Sequence, residues 1–281
     1  MRLILSVALL IATLFGIYLT SVYDYLLFHG LAEIFSIVIA CGIFMVAWNA
    51  RRLLQNHYLL FAGIAYLYVG GLDTLHTLAY KGMGVFGDGS ANLPTQLWIA
   101  ARYVEAFSLL LAMVFLRRRV APRLVVAAYT LATGILLAAI FWWRIFPDCY
   151  VEGIGLTPFK IYSEYAISLI FLAAIGLLVV HSKVFERNVL ILLVASIAVA
   201  IASELAFTTY LSVYGHANMM GHLLKIVSFY LLYKAIVQTS LVAPWNLLFR
   251  ELKQSEEALR ELNATLENRV AERTEELEHR T

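Results

Sequence analysis

The chain has 281 residues, 62% of them hydrophobic and 14% charged, with a formal net charge of +2 and a mean hydropathy of +0.79. A soluble domain carries about 25% charged residues, so composition excludes an ordinary water-soluble fold, and no nucleic-acid partner is expected. The apolar runs are long enough for helices rather than barrel strands, so the fold class is all-α, a polytopic membrane helix bundle.

Eight apolar segments occur in chain order at residues 3–22, 29–49, 58–78, 96–116, 124–143, 161–181, 189–211 and 219–240. Each is near the ~20 residues that a bilayer requires. The first follows Met1-Arg2 directly and lacks a small-x-small cleavage site, so it reads as an uncleaved helix rather than a signal peptide. Without it, seven spans and an extracytoplasmic N-terminus result. Cys41 falls mid-helix and Cys149 in a loop, so no disulfide between them is expected.

The connecting loops alternate in charge. One set holds Arg51, Arg52, Arg117, Arg118, Arg119, Arg123, Lys183 and Arg187 against the single acid Glu186. The other holds Asp24, Lys81, Asp88, Arg144, Asp148, Glu152 and Lys160, a mixed group. The positive-inside rule puts the first set in the cytoplasm, and eight spans then leave both termini there. The expected location is a bacterial inner membrane. The outer loops 80–95 and 144–160 are rich in Gly, Pro and Asp and read as turns over the mouth of the bundle. Tyr23, Tyr25, Phe28, Tyr80, Trp98, Trp142, Trp143, Tyr150, Tyr162, Tyr210 and Tyr214 cluster at the same level, as an interfacial aromatic belt does.

After Pro244-Trp245 the composition becomes strongly charged, with neither Pro nor Gly. Domains are therefore expected at 1–243, integral to the membrane, and at 244–281, a cytoplasmic helix. In the tail, Leu252, Leu259, Leu262, Leu266, Val270 and Leu277 are spaced 7, 3, 4, 4 and 7. That is a coiled-coil seam with a stutter, expected to form a homodimer.

Ten ionisable residues lie inside the apolar segments, near the ends expected to face away from the cytoplasm: His29, Glu33, Asp73, His76, Arg102, Glu105, Glu164, Glu204, His222 and Lys225. Charge inside a membrane is costly and marks function by default. His29 and Glu33 are spaced i,i+4; Asp73–His76, Arg102–Glu105 and His222–Lys225 are spaced i,i+3, so each pair shares a helix face. A polar chamber in the outer half of the bundle follows, with Glu164 as a candidate for the membrane interface. Simple helix–helix ion pairs are the structural alternative: Arg102 with Asp73 or a glutamate, Lys225 with Glu204. His29, His76 and His222 come from three helices at one depth with acids nearby, acceptable geometry for a transition metal or a haem iron. His216 is a further candidate ligand, and His57 and His181 are expected to face solvent. No phosphate loop, nucleophile elbow or CxxC pair is present, so no catalytic residue is assigned.

The stretches FHGLAEIFSIVIACGIFMVAWNARR (28–52), GGLDTLHTLAYKGMGVF (70–86), LWIAARYVEAFSLLLA (97–112) and GHLLKIVSFYLLYKAIV (221–237) resemble bacterial membrane-associated sensor (MASE) domains of the third class. The resemblance covers about residues 5–240. It implies a sensory input followed by an output such as a histidine kinase, a diguanylate cyclase or a PAS domain. The tail LNATLENRVAERTEELEHR looks like the signalling helix that leads into such outputs. The chain stops at Thr281, where an output would begin, so the output is expected either in a longer chain or in a separate protein. A sensor of a ligand, a metal or a redox change is thus expected; a haem- or metal-binding redox protein is the alternative. A transporter lacks support, since no internal repeat is evident.

Overall fold

The computed structural model describes residues 2–52, 57–86, 89–208, 215–237 and 239, and in the C-terminal part 253–263, 265, 266 and 269. The helices are α1 (Arg2–Tyr23), α2 (Tyr25–Asn49), α3 (Tyr58–Ala79), α4 (Asn92–Leu111), α5 (Pro122–Leu137), α6 (Pro158–Val180), α7 (Arg187–Ala206) and α8 (His216–Val237). A 3₁₀ turn, Ala112–Leu116, extends α4, and a π turn, Ala138–Trp142, ends α5. All eight are long and apolar enough to cross a membrane.

Local chemistry explains several starts. The Asp24 side chain accepts the Leu27 N–H at 2.8 Å and caps α2. Thr157 accepts the Lys160 N–H at 3.3 Å, and Pro158 occupies the first turn of α6. The helix therefore begins before Lys160, which the sequence reading left in a loop.

Helices α2, α3, α4 and α8 form the centre. Small residues let α2 and α3 approach: a Cβ on Gly70 would meet that of Ala40 at 3.2 Å, and one on Gly63 would collide with Ala47. Helices α7 and α8 are joined by hydroxyls. Ser196 donates to the Ser228 carbonyl at 2.8 Å, Ser228 returns a bond to the Ser196 carbonyl at 2.9 Å, and Ser203 donates to the Gly221 carbonyl at 2.8 Å. Helices α1 and α5 lie at the periphery and turn leucines such as Leu9 and Leu131 outward, as a lipid-facing surface requires.

The two ends of the bundle differ. At one end, the loops after α3 and α5 meet. Two short antiparallel strands, β1 (Tyr150–Val151) and β2 (Gly155–Leu156), make a hairpin whose turn uses Gly153 at φ 81°. Glu152 in the hairpin pairs with Lys81 at 3.0 Å and accepts the Ala91 N–H at 3.2 Å. Asn92 accepts the backbone N–H of Cys149 at 2.8 Å and donates to Asp148 at 2.7 Å. The opposite end carries Arg51, Arg52, Arg117, Arg118 and Arg119 around one basic pocket. His57 and His181 are half-buried there rather than facing solvent.

Residues 253–263 are helical, with Leu259 and Leu262 exposed and Arg260 bonded to Glu256 at 2.8 Å. Leu252, Val270 and Leu277 of the expected seam lie outside the described residues, as do Pro244-Trp245, Tyr210 and Tyr214.

Candidate functional site

All ten ionisable residues are buried, and they gather toward the hairpin end of the bundle. Lys225 on α8 is the hub: its ammonium lies 2.7 Å from Glu33 on α2 and 2.9 Å from Asp73 on α3. The other Glu33 oxygen accepts a bond from His222 Nδ1 at 2.8 Å. Arg102 on α4 donates to both Asp73 oxygens, at 2.8 and 2.9 Å, and also pairs with Glu105. Glu105 takes a further bond from the Tyr66 hydroxyl at 2.5 Å. Four helices are thus tied by one continuous chain of charge. Lys225 pairs with Glu33 and Asp73, not with Glu204.

A second group adjoins the first. Lys160 and Glu164, both on α6 and both buried, pair at 2.8 Å, and Lys160 also donates to the Phe207 carbonyl at the end of α7. Glu164 is buried among the helices. Glu204 lies close enough to Glu164, Arg102 and Glu105 for their charges to interact.

The histidines form the end of the network nearest the hairpin. His29 Nε2 and His76 Nε2 are 3.3 Å apart, and His76 Nδ1 donates to the Pro94 carbonyl at 2.7 Å. Tyr80 stacks on His29 with ring centroids 3.5 Å apart and accepts a bond from Asn218 at 3.2 Å. The His222 ring stands edge-on to His29 at 4.7 Å and to Phe207 at 5.1 Å. Gly221 makes that possible, since a Cβ there would strike the Phe207 ring. Trp98 and Tyr80, expected in the aromatic belt, are buried against the histidines, whereas Tyr23, Trp142 and Tyr162 are exposed as a belt requires.

His76 and His222 line a cavity of about 20 Å³ beneath the hairpin-end loops, together with Tyr80, Pro94, Trp98 and Asn218. That is room for about one water molecule or one ion. A haem plane does not fit: the His29 and His76 nitrogens nearly touch, and Tyr80 and His222 already cover the faces and edges of His29. The donor atoms of His29, Glu33 and His76 lie within 4.8 Å of one another. His222 turns its Nδ1 to Glu33, which brings a carboxylate of α2 beside the three expected histidines. His216 is exposed at the first residue of α8 and does not join them.

The family model for the membrane-associated sensor domain, MASE3, matches residues 20–244. The chain belongs to this family. No curated protein and no solved structure matches it. The MASE3 match contains every residue of the network and leaves out most of α1, which contributes none. The protein is a multi-pass membrane protein with a sensory input role. Sequence reasoning missed four members of this network. Lys160 was detectable from its i,i+4 spacing to Glu164 behind a Thr-Pro helix start. Tyr66, Tyr80 and Trp98 carried no such signal, since aromatic residues are ordinary in membrane helices.

Proposed function

We propose that residues 1–243 are the transmembrane sensory input of a bacterial signal-transduction protein, set in the inner membrane with the hairpin end outside and both termini in the cytoplasm. His29, Glu33, Asp73, His76, Arg102, Glu105, Glu204, His222 and Lys225 form the detection chamber. It takes a ligand small enough for a one-water cavity, or a cation. Residues 244–281 form a dimeric signalling coil that carries the response to a histidine kinase or diguanylate cyclase output.

One observation carries this reading. Glu33 and Asp73 of α2 and α3 grip two residues of α8, His222 and Lys225, and α8 is the last span before the charged tail. A ligand shifts a two-state equilibrium only through its different affinity for the two states. A group that competes for Glu33 or Asp73 has that difference built in, because it binds better when α8 has let go.

The test is a fusion of the chain to a cyclase or kinase reporter in cells. Lys225→Met, which removes the hub, drives the output to one extreme. A four-residue insertion near Leu266 shifts the coil register and inverts or locks the output. Output indifferent to both changes sinks the proposal.

A further inference from the structure

We infer that His29, His76 and Glu33 form a binding site for a divalent first-row transition ion, with Zn²⁺ as its reference occupant. The inference rests on the detection chamber proposed above and names what that chamber takes.

Geometry gives the first argument. A tetrahedral ion with bonds of 2.0–2.1 Å to nitrogen holds two such ligand atoms about 3.3–3.4 Å apart. The His29 and His76 Nε2 atoms are 3.3 Å apart. Tautomer chemistry gives the second. A carbonyl only accepts, so His76 Nδ1 carries its hydrogen toward Pro94, and the neutral ring turns its Nε2 lone pair to the shared point. Metal-binding histidines are commonly oriented this way, by a carbonyl on the other nitrogen. His29 is fixed in turn by the stack on Tyr80, which Asn218 holds. The ligand types give the third: Glu33 supplies an anionic oxygen beside the two imidazole nitrogens, and such a mixed set favours a cation. His₂Glu is a ligand set that zinc accepts with a fourth position open, and the cavity lined by His76 lies on the side of the hairpin-end loops.

The site also has a consequence for α8. Glu33 now gives one oxygen to His222 and the other to Lys225. A bond from Glu33 to the ion weakens at least one of these, so ion binding and the grip on α8 compete for one carboxylate.

The test uses the full chain in nanodiscs, stripped with chelator and titrated with Co²⁺ and then with Zn²⁺ in competition. One Co²⁺ per chain, with the intense visible bands of a tetrahedral site, bleached by one equivalent of Zn²⁺, is expected. His29→Ala and His76→Ala abolish the bands, Glu33→Gln weakens affinity at least tenfold, and His181→Ala at the other end of the bundle leaves them unchanged. Wild-type protein that takes up no stoichiometric Co²⁺ or Zn²⁺ overturns the inference without recourse to any variant, as does uptake that survives both histidine substitutions. Either result leaves the sensory reading to the Lys225→Met reporter fusion. Stoichiometric metal binding with an indifferent reporter refutes the sensory reading and spares the metal site.

Discussion

Replacing Arg102 by methionine isolates the worth of the charge network. Methionine keeps much of the stem volume and removes both bonds to Asp73, the pair with Glu105, and the cation lying 4.7 Å from the Trp98 ring and 5.5 Å from the Phe229 ring. Asp73 retains Lys225 at 2.9 Å, but Glu105 is left with the Tyr66 hydroxyl alone. Removing one partner of a buried ion pair costs about 3–5 kcal/mol, because the other charge stays behind uncompensated. An interhelical hydrogen bond in a membrane averages only about 0.6 kcal/mol. The two magnitudes separate the possibilities cleanly. Unfolding by SDS in mixed micelles, followed by circular dichroism, should show a loss of about 3–5 kcal/mol for Arg102→Met. Adding Glu105→Gln removes the stranded carboxylate and should restore about 1–3 kcal/mol. A single-variant loss near 0.6 kcal/mol, or a double variant no more stable than the single, refutes the view that these residues act as one charge-coupled unit.

Other expectations concern packing, the loops and topology. Gly63→Ala should destabilise the bundle by about 1–3 kcal/mol in the same titration, since its Cβ strikes Ala47, while Gly71→Ala, with open space around it, should stay within about 0.5 kcal/mol of wild type; equal effects would contradict the α2–α3 contact. Burial pushes the Cys149 thiol up to about 12, so in Cys41→Ser protein it should resist maleimide at pH 8 until SDS is added. Folding favours the neutral thiol, so this contribution to stability is whole below about pH 9 and is lost as pH rises toward 12; native labelling as fast as in SDS would count against it. Bonds from Lys81 and the Ala91 N–H hold the Glu152 carboxyl below its ordinary value, so its tie to the α3–α4 loop is present above about pH 4.5 and fades as pH falls. At neutral pH Glu152→Gln should speed hydrogen exchange at Ala91, and unchanged exchange would show that the tie is idle. Green fluorescent protein fused after Arg119 should fluoresce and alkaline phosphatase fused after Gly153 should be active; the reverse pattern would invert the proposed orientation.

The sequence exposed the spans because a bilayer demands long apolar runs, and it exposed the network because charges in those runs stand out. Alternating loop charge sets the direction of each span, and from it His29, Glu33, Asp73, His76, Arg102 and Lys225 fall at one level, where the structure joins them. Partners were not legible. Which acid meets Lys225 depends on how α8 is rotated against α2 and α3, and helix periodicity within α8 carries no information about its neighbour's angle. The same limit hid the bond from His222 Nδ1 to Glu33. Lys160 was missed for a different reason: the start of α6 depends on a Thr157 cap three residues before it, so a boundary error of about one turn placed it in a loop.

The hydroxyl bonds between α7 and α8 bear on what moves. Ser196, Ser203 and Ser228 tie these helices by bonds from hydroxyls to backbone carbonyls, none of which carries a charge. The bonds from α8 to α2 and α3 are ionic and open to competition. The bundle is thus fastened with two kinds of joint, one between hydroxyls and carbonyls and one ionic. Under the proposed function, loosening the ionic joint is expected to displace α7 and α8 together, as a two-helix lever rather than a single rod.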